Sequence, residues 1–216
     1  MRTKTRRQRF AVRPLGRLAI PLAAVALTLA GCSGTKPSAE KCQTVSAPMT
    51  DIPTRTDQEP KLRIPIPSGW ERSTQMDSEN IRFSIRAQGL TANGFTPNAV
   101  VTLQKVAGDI GKPMAILQAQ QDQLNKKLNL KDVTSTETKV CGAPALSSTY
   151  KTPELKLGPN LPSVPERSAT SLGTVYRTGE ANYVATLTVQ TIKPDDPAFK
   201  KDSEEIVKGF QLLPPR

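Results

Sequence analysis

Of the side chains that most often carry covalent or metal chemistry, this sequence offers three cysteines, Cys32, Cys42 and Cys141, and no histidine in 216 residues. Without histidine there is no Ser-His-Asp or Cys-His nucleophile arrangement, no zinc-protease helix motif and no histidine-containing zinc site. Three cysteines are too few for a four-cysteine zinc site or an iron–sulfur cluster. Neither G-x-x-x-x-G-K-[ST] nor a G-x-G-x-x-G after a strand is present, so no phosphate cradle is encoded and no cofactor is expected. What remains is carboxylate chemistry. Glu71, Asp77 and Glu79 lie close in sequence to Trp70, the pattern of paired acids beside an aromatic platform for sugar. Asp195, Asp196, Asp202, Glu204 and Glu205 form a second group at the start of a C-terminal helix, where the helix dipole favours acids without any bound cation.

The cysteines sort by context. Arg2, Lys4, Arg6, Arg7, Arg9, Arg13 and Arg17 precede the apolar run Leu18–Ala30, and residues 1–31 contain no acid. A basic start, a short apolar core and a small-residue exit make a secretory signal over 1–31. Its exit, Leu29-Ala30-Gly31-Cys32, matches a lipobox, in which the cysteine thiol is diacylglycerated and becomes the new N-terminus. Two acyl chains are what stable anchoring requires, at about 0.8 kcal/mol per buried methylene. Thr5-Arg6-Arg7-Gln8-Arg9-Phe10 approximates a twin-arginine signal with its Phe one place late, so general and twin-arginine secretion both stay open. The expected location is the extracytoplasmic face of the cell membrane. There, Cys42 and Cys141 are expected to pair as a disulfide, closing a loop of roughly 100 residues worth about 4–5 kcal/mol by chain entropy.

The signal also accounts for most of the charge. The whole chain has 30 Lys+Arg against 19 Asp+Glu, a formal +11. Without the leader, 23 bases face 19 acids, so the mature chain is only mildly basic. With few aromatics as well, nucleic-acid binding is disfavoured.

The elements that would hold these residues follow from periodicity. Residues 32–60, rich in Pro, Ser and Thr, read as a lipidated tether, and 61–216 as one α+β domain. Leu62-Arg-Ile64-Pro-Ile66 alternates as a strand whose prolines suggest a sheet edge, and Ser68-Gly69-Trp70 follows as a turn. Ile81–Arg86 and Ala99–Val106 read as further strands. Pro113 opens a helix with Met114, Leu117, Gln121, Leu124 and Leu128 on one face. Val133–Lys139 and Pro144–Lys151 are β-rich runs hinged at Cys141-Gly142, and Pro153, Pro159, Pro162 and Pro165 break the segment after them into a loop. Leu172–Arg177 and Tyr183–Val189 form a hairpin around Thr178-Gly179-Glu180. A last helix starts at Asp195-Asp196-Pro197 with Phe199, Ile206, Val207 and Phe210 as its buried stripe. The sum is a mainly antiparallel sheet flanked by helices.

The lipobox, the proline-rich tether, the Ile64-Pro-Ile66-Pro67-Ser-Gly69-Trp70 opening, the mid-chain helix and a final helix ending in Gly209-Phe210 together resemble the LpqN/LpqT lipoproteins of mycobacteria and related actinobacteria. The resemblance covers most of the chain from about residue 61. It implies a PsbP-like α/β/α sandwich and an envelope lipoprotein, and it supplies no catalytic motif.

Two function classes follow. One is a non-catalytic, lipid-anchored binding module for an envelope protein or a small lipid or hydrophobic ligand, held to the membrane by diacylglyceryl-Cys32. Its expected contact surface is Trp70 with Arg63, Arg82 and Arg86, joined by Arg72 as a basic face on the first hairpin. The other is a histidine-free hydrolase of wall glycan working through Glu71 and Asp77.

Overall fold

Period-two alternation governs most of the chain, and in the computed structural model it resolves into ten strands and two α-helices among the described residues, 42–106, 111–156, 158, 163–178 and 181–215. The signal segment, Cys32 and the first part of the tether lie outside the described residues. So do Pro159 and Pro162 of the proline-rich loop, and Gly179-Glu180 of the hairpin turn.

Two antiparallel sheets carry the fold. The smaller is ordered β1-β2-β10, from β1 (Met49–Ile52), β2 (Lys61–Pro65) and β10 (Gln211–Leu213). The larger has seven strands in the order β3-β4-β5-β9-β8-β7-β6. These are β3 (Glu71–Arg72), β4 (Ile81–Arg86), β5 (Asn98–Val106), β6 (Lys131–Val140), β7 (Ala143–Thr152), β8 (Arg167–Arg177) and β9 (Asn182–Thr191).

Two expectations need correction here. The packed body begins well before residue 61: Met49–Ile52 pair with Leu62–Pro65, and Ala47 and Pro60 are buried. Prolines at 48, 53 and 60 make this stretch read as a tether, but they flank the strand, and the Pro48 carbonyl extends its ladder by accepting from the Ile66 N–H at 2.9 Å. Likewise β2 is the centre of its sheet and not an edge. β10 pairs only with Lys61–Arg63, so Pro65 falls beyond its end and its missing N–H leaves no partner unsatisfied.

α1 (Pro113–Leu128) starts on proline, which has no N–H to lose, and ends at Asn129, whose left-handed backbone returns its N–H to the Asn125 carbonyl. α2 (Pro197–Gly209) starts the same way, with the Asp196 carboxylate accepting from the Ala198 and Phe199 N–H groups at 3.0 Å each. α2 and the small sheet cover one face of the large sheet. Ala99, Val101, Leu103, Leu172, Tyr183, Ala185, Leu187 and Val189 meet Phe199, Ile206, Phe210, Leu62 and Ile64 there in one continuous core. α1 lies on the opposite face with a smaller cluster of Leu117, Leu146, Val175 and Val184. Gly173 makes that approach possible, since a Cβ there would lie 3.1 Å from Leu117 Cδ2. Leu128, expected on the buried face of α1, is 38% exposed.

Candidate functional site

The β6–β7 connection is a two-residue turn, and both of its residues, Cys141 and Gly142, have positive φ (49° and 86°). That is the type I′ geometry that matches the twist of paired strands, with a cysteine where Asn or Asp is usual. Cys141 is bonded to Cys42 in a disulfide, with a Cα–Cα distance of 4.2 Å. From Cys42 the chain passes along the C-terminal half of α2. The Glu205 carboxylate accepts from the Ser46 and Ala47 N–H groups at 2.7 Å each. Val45 crosses Gly209 so closely that a Cβ there would sit 2.6 Å from its Cγ2.

Beside this crossing lies a groove of about 440 Å³. It exists because α2 packs over β9 and β2, leaving the inner face of β6–β8 only partly covered. Val140, Leu172, Val207 and Phe210 supply apolar walls, Thr138, Ser147 and Thr170 hydroxyls, and Gln43, Lys139 and Lys208 line it near the disulfide. A second hollow of about 380 Å³ shares Thr170, Ser203 and Glu204 with it and continues along α2 to Phe199 and Lys200. Polar and charged side chains outnumber apolar ones in the groove lining, so it offers hydrogen-bonding groups alongside its apolar walls, as a site for an amphipathic small molecule would.

The residues expected to form the contact surface are placed differently. Trp70 is 6% exposed, its Nε1–H donates to Asp202 Oδ2 at 2.9 Å, and its ring lies 6.5 Å from that of Phe199. It anchors α2 to the strand-to-turn segment and presents no platform. The arginines form no free basic face, because each has an acid. Arg63 lies 2.7 Å from Asp51 and Arg86 3.2 Å from Glu71, and both are directly opposed cross-strand pairs. Arg72 contacts both oxygens of Asp77 at 2.6–2.8 Å, with its guanidinium 4.2 Å over the Phe83 ring. Arg82 is buried against Glu59, an ion pair that fixes the 53–60 loop to β4.

The same contacts account for the carboxylates. Glu71 is held by Arg86 and Asp77 by Arg72. Asp196 caps α2, Asp195 lies 3.3 Å from Lys200, Asp202 holds Trp70 and Glu205 holds the N-terminal crossing. Only Glu204 of that group lines the groove. Among the described residues no cluster of three His, Cys, Asp or Glu is placed to hold a metal, and no helix is long and apolar enough to cross a membrane.

Two buried-group effects sit on the other sheet face. Burial pushes the Tyr150 hydroxyl above its ordinary pKa, against hydrogen bonds from Ser171 and Thr188 that act the other way. Burial also pulls the Arg167 guanidinium down. Its Nε donates to Gln190 Oε1 at 2.9 Å, and Gln190 in turn donates to Asn98 at 2.9 Å.

Sequence reasoning found Cys141 and the α2 stripe but not the groove between them. Phe210 is buried as its place in the α2 stripe predicts, while Val207 of the same stripe is only half-buried at the groove. Thr138 and Ser147 fall in predicted strands, and Thr170 falls in no predicted element. The available signal was Gly209, a glycine at a helix end that nothing local requires.

No curated protein matches the chain. Among solved structures, the fold is similar to the crystal structure of LpqN, involved in cell envelope biogenesis of Mycobacterium tuberculosis. That likeness has 18% identity and a TM-score of 0.58 over 77% of this chain and 91% of the other. The Saccharomyces cerevisiae Ran-binding protein Mog1p aligns over 78% of this chain and 97% of its own, at 13% identity and a TM-score of 0.46. Residues 45–213 match the family described as probable lipoprotein LpqN, and a match over that much of the sequence makes this chain a member of the LpqN lipoprotein family.

Proposed function

We propose that this protein is exported, anchored at the outer face of the cell membrane through diacylglyceryl-Cys32, and acts there by binding rather than by catalysis. The ligand taken is a small amphipathic molecule, such as a small lipid, held in the groove between α2 and β6–β8. The observation that carries the reading is the groove itself. It has apolar walls from Val140, Leu172, Val207 and Phe210, and it lies where the chain leading to Cys32 joins the folded body. Family membership supports the anchor, and the similar LpqN structure, described as involved in cell envelope biogenesis, supports an envelope role. The trapping of Glu71 and Asp77 by arginines supports binding over glycan hydrolysis.

Native mass spectrometry of the full chain, extracted from membranes under mild conditions, tests the groove. The wild type carries a bound small molecule. Thr170→Trp, which places an indole where the two hollows meet, loses it while keeping a wild-type melting profile. An adduct retained in full by Thr170→Trp, or absent from the wild type, overturns the assignment. Separately, Cys32→Ala moves the protein from the membrane to the soluble fraction, and continued membrane retention would defeat the anchor.

A further inference from the structure

The chain from Cys42 to Ala47 is fastened at two points of different chemistry, and only one is permanent. Ser46 and Ala47 are held by Glu205, with Ala47 buried and Val45 seated against Gly209 and Pro65. Ahead of Val45, Gln43 and Thr44 are exposed, and they reach the β6–β7 turn through the Cys42–Cys141 bond. Gln43 and Cys141 are both on the groove lining. Both cysteines are half-buried, within reach of an external thiol.

We propose that residues 42–44 are a strap across one end of the groove, latched by the Cys42–Cys141 disulfide and released when an external dithiol reduces it. A thiolate of the dithiol attacks one sulfur of the bridge, the S–S bond breaks, and the other cysteine leaves as a thiolate and is protonated. The second thiol of the dithiol then resolves the mixed disulfide. The protein gains two electrons and two protons, and the dithiol ends as its own disulfide. Release frees Gln43 from the groove end, while Glu205 still clamps the chain at Ser46. The strap's role in controlling ligand entry rests on the groove being the binding site proposed above.

Backbone amide nitrogen relaxation of the full chain in detergent, with and without dithiothreitol, tests the latch without using any ligand. Its failure is therefore distinguishable from failure of the groove assignment. Reduction lowers the order parameters of Gln43 and Thr44 from about 0.85, typical of rigid backbone, to below about 0.6, leaving Ser46, Ala47 and the β5 and β9 amides at their oxidised values. Glu205→Gln with the bridge intact gives the reverse pattern, with lower order at Ser46 and Ala47 and none lost at Gln43 and Thr44. Unchanged order parameters at Gln43 and Thr44 on reduction overturn the proposal. So does loss of order through β5 and β9, which would make the bridge a staple of the whole fold.

Discussion

The two faces of the seven-stranded sheet are built from alternate residues of the same strands, yet they differ in kind. Towards α2, β9 presents Tyr183, Ala185, Leu187 and Val189, none more than 3% exposed, as part of a core that reaches β2 and Trp70. Towards α1, the same strand presents Val184 and then Thr186 and Thr188. The register continues the hydroxyls across the sheet through Ser171, Ser148 and Ser135, with the last two oxygens 2.8 Å apart. α1 covers only part of this face, and a polar hollow of about 390 Å³ remains beside it, lined by Thr102, Gln104, Gln121 and Thr186. Gln121 Nε2 and Thr186 Oγ1 are buried there and meet no partner among the described residues. One face therefore supplies most of the apolar burial that opposes chain entropy. The other relies on hydrogen bonds, whose net worth is about 1 kcal/mol each.

That contrast can be broken by measurement. The largest effect belongs to Leu187→Ala, fully buried on the α2 face, which costs about 2–5 kcal/mol in urea unfolding. Trp70→Phe follows, at about 1.5–3 kcal/mol for the lost bond to the Asp202 carboxylate, and Asp202→Asn recovers part of that loss relative to Asp202→Ala. Ser171→Ala on the α1 face costs about 0.5–1.5 kcal/mol. A loss from Ser171→Ala as large as that from Leu187→Ala would erase the distinction between the faces. Smallest is a pH effect. Tyr150 has its pKa raised by burial, so its contribution is whole below the unfolded value of about 10 and falls as pH rises towards the folded value. Stability above pH 10 consequently declines less steeply in Tyr150→Phe than in the wild type.

Much of this was legible because it is local. Strict alternation marked Ile81–Arg86 and Tyr183–Val189, and Pro113 and Pro197 marked both helix starts. What escaped depends on partners far along the chain. Met49–Ile52 is too short to show a period between its prolines, and it becomes a strand only because β2 pairs with it. The arginines alternate as a solvated basic face would. Their acids come from a turn, a loop and neighbouring strands, so the cancellation of charge is visible only in three dimensions. The groove follows from where α2 rests on the sheet, a tertiary choice that its 3.6-residue stripe does not specify. Leu128 fits that same periodicity on α1 but lies in the last turn of the helix, where burial gives way to exposure.

The disulfide also fixes a mechanical path. Any pull on the chain from its N-terminal side meets Cys42 before it meets Val45 or Glu205, and the bond passes the tension to the tip of the β6–β7 hairpin. Residues 43–48 then carry no load, so β1 is shielded from being peeled off β2. While the bridge is closed, the seven-stranded sheet bears the strain and the three-stranded sheet does not. Reduction reverses that division.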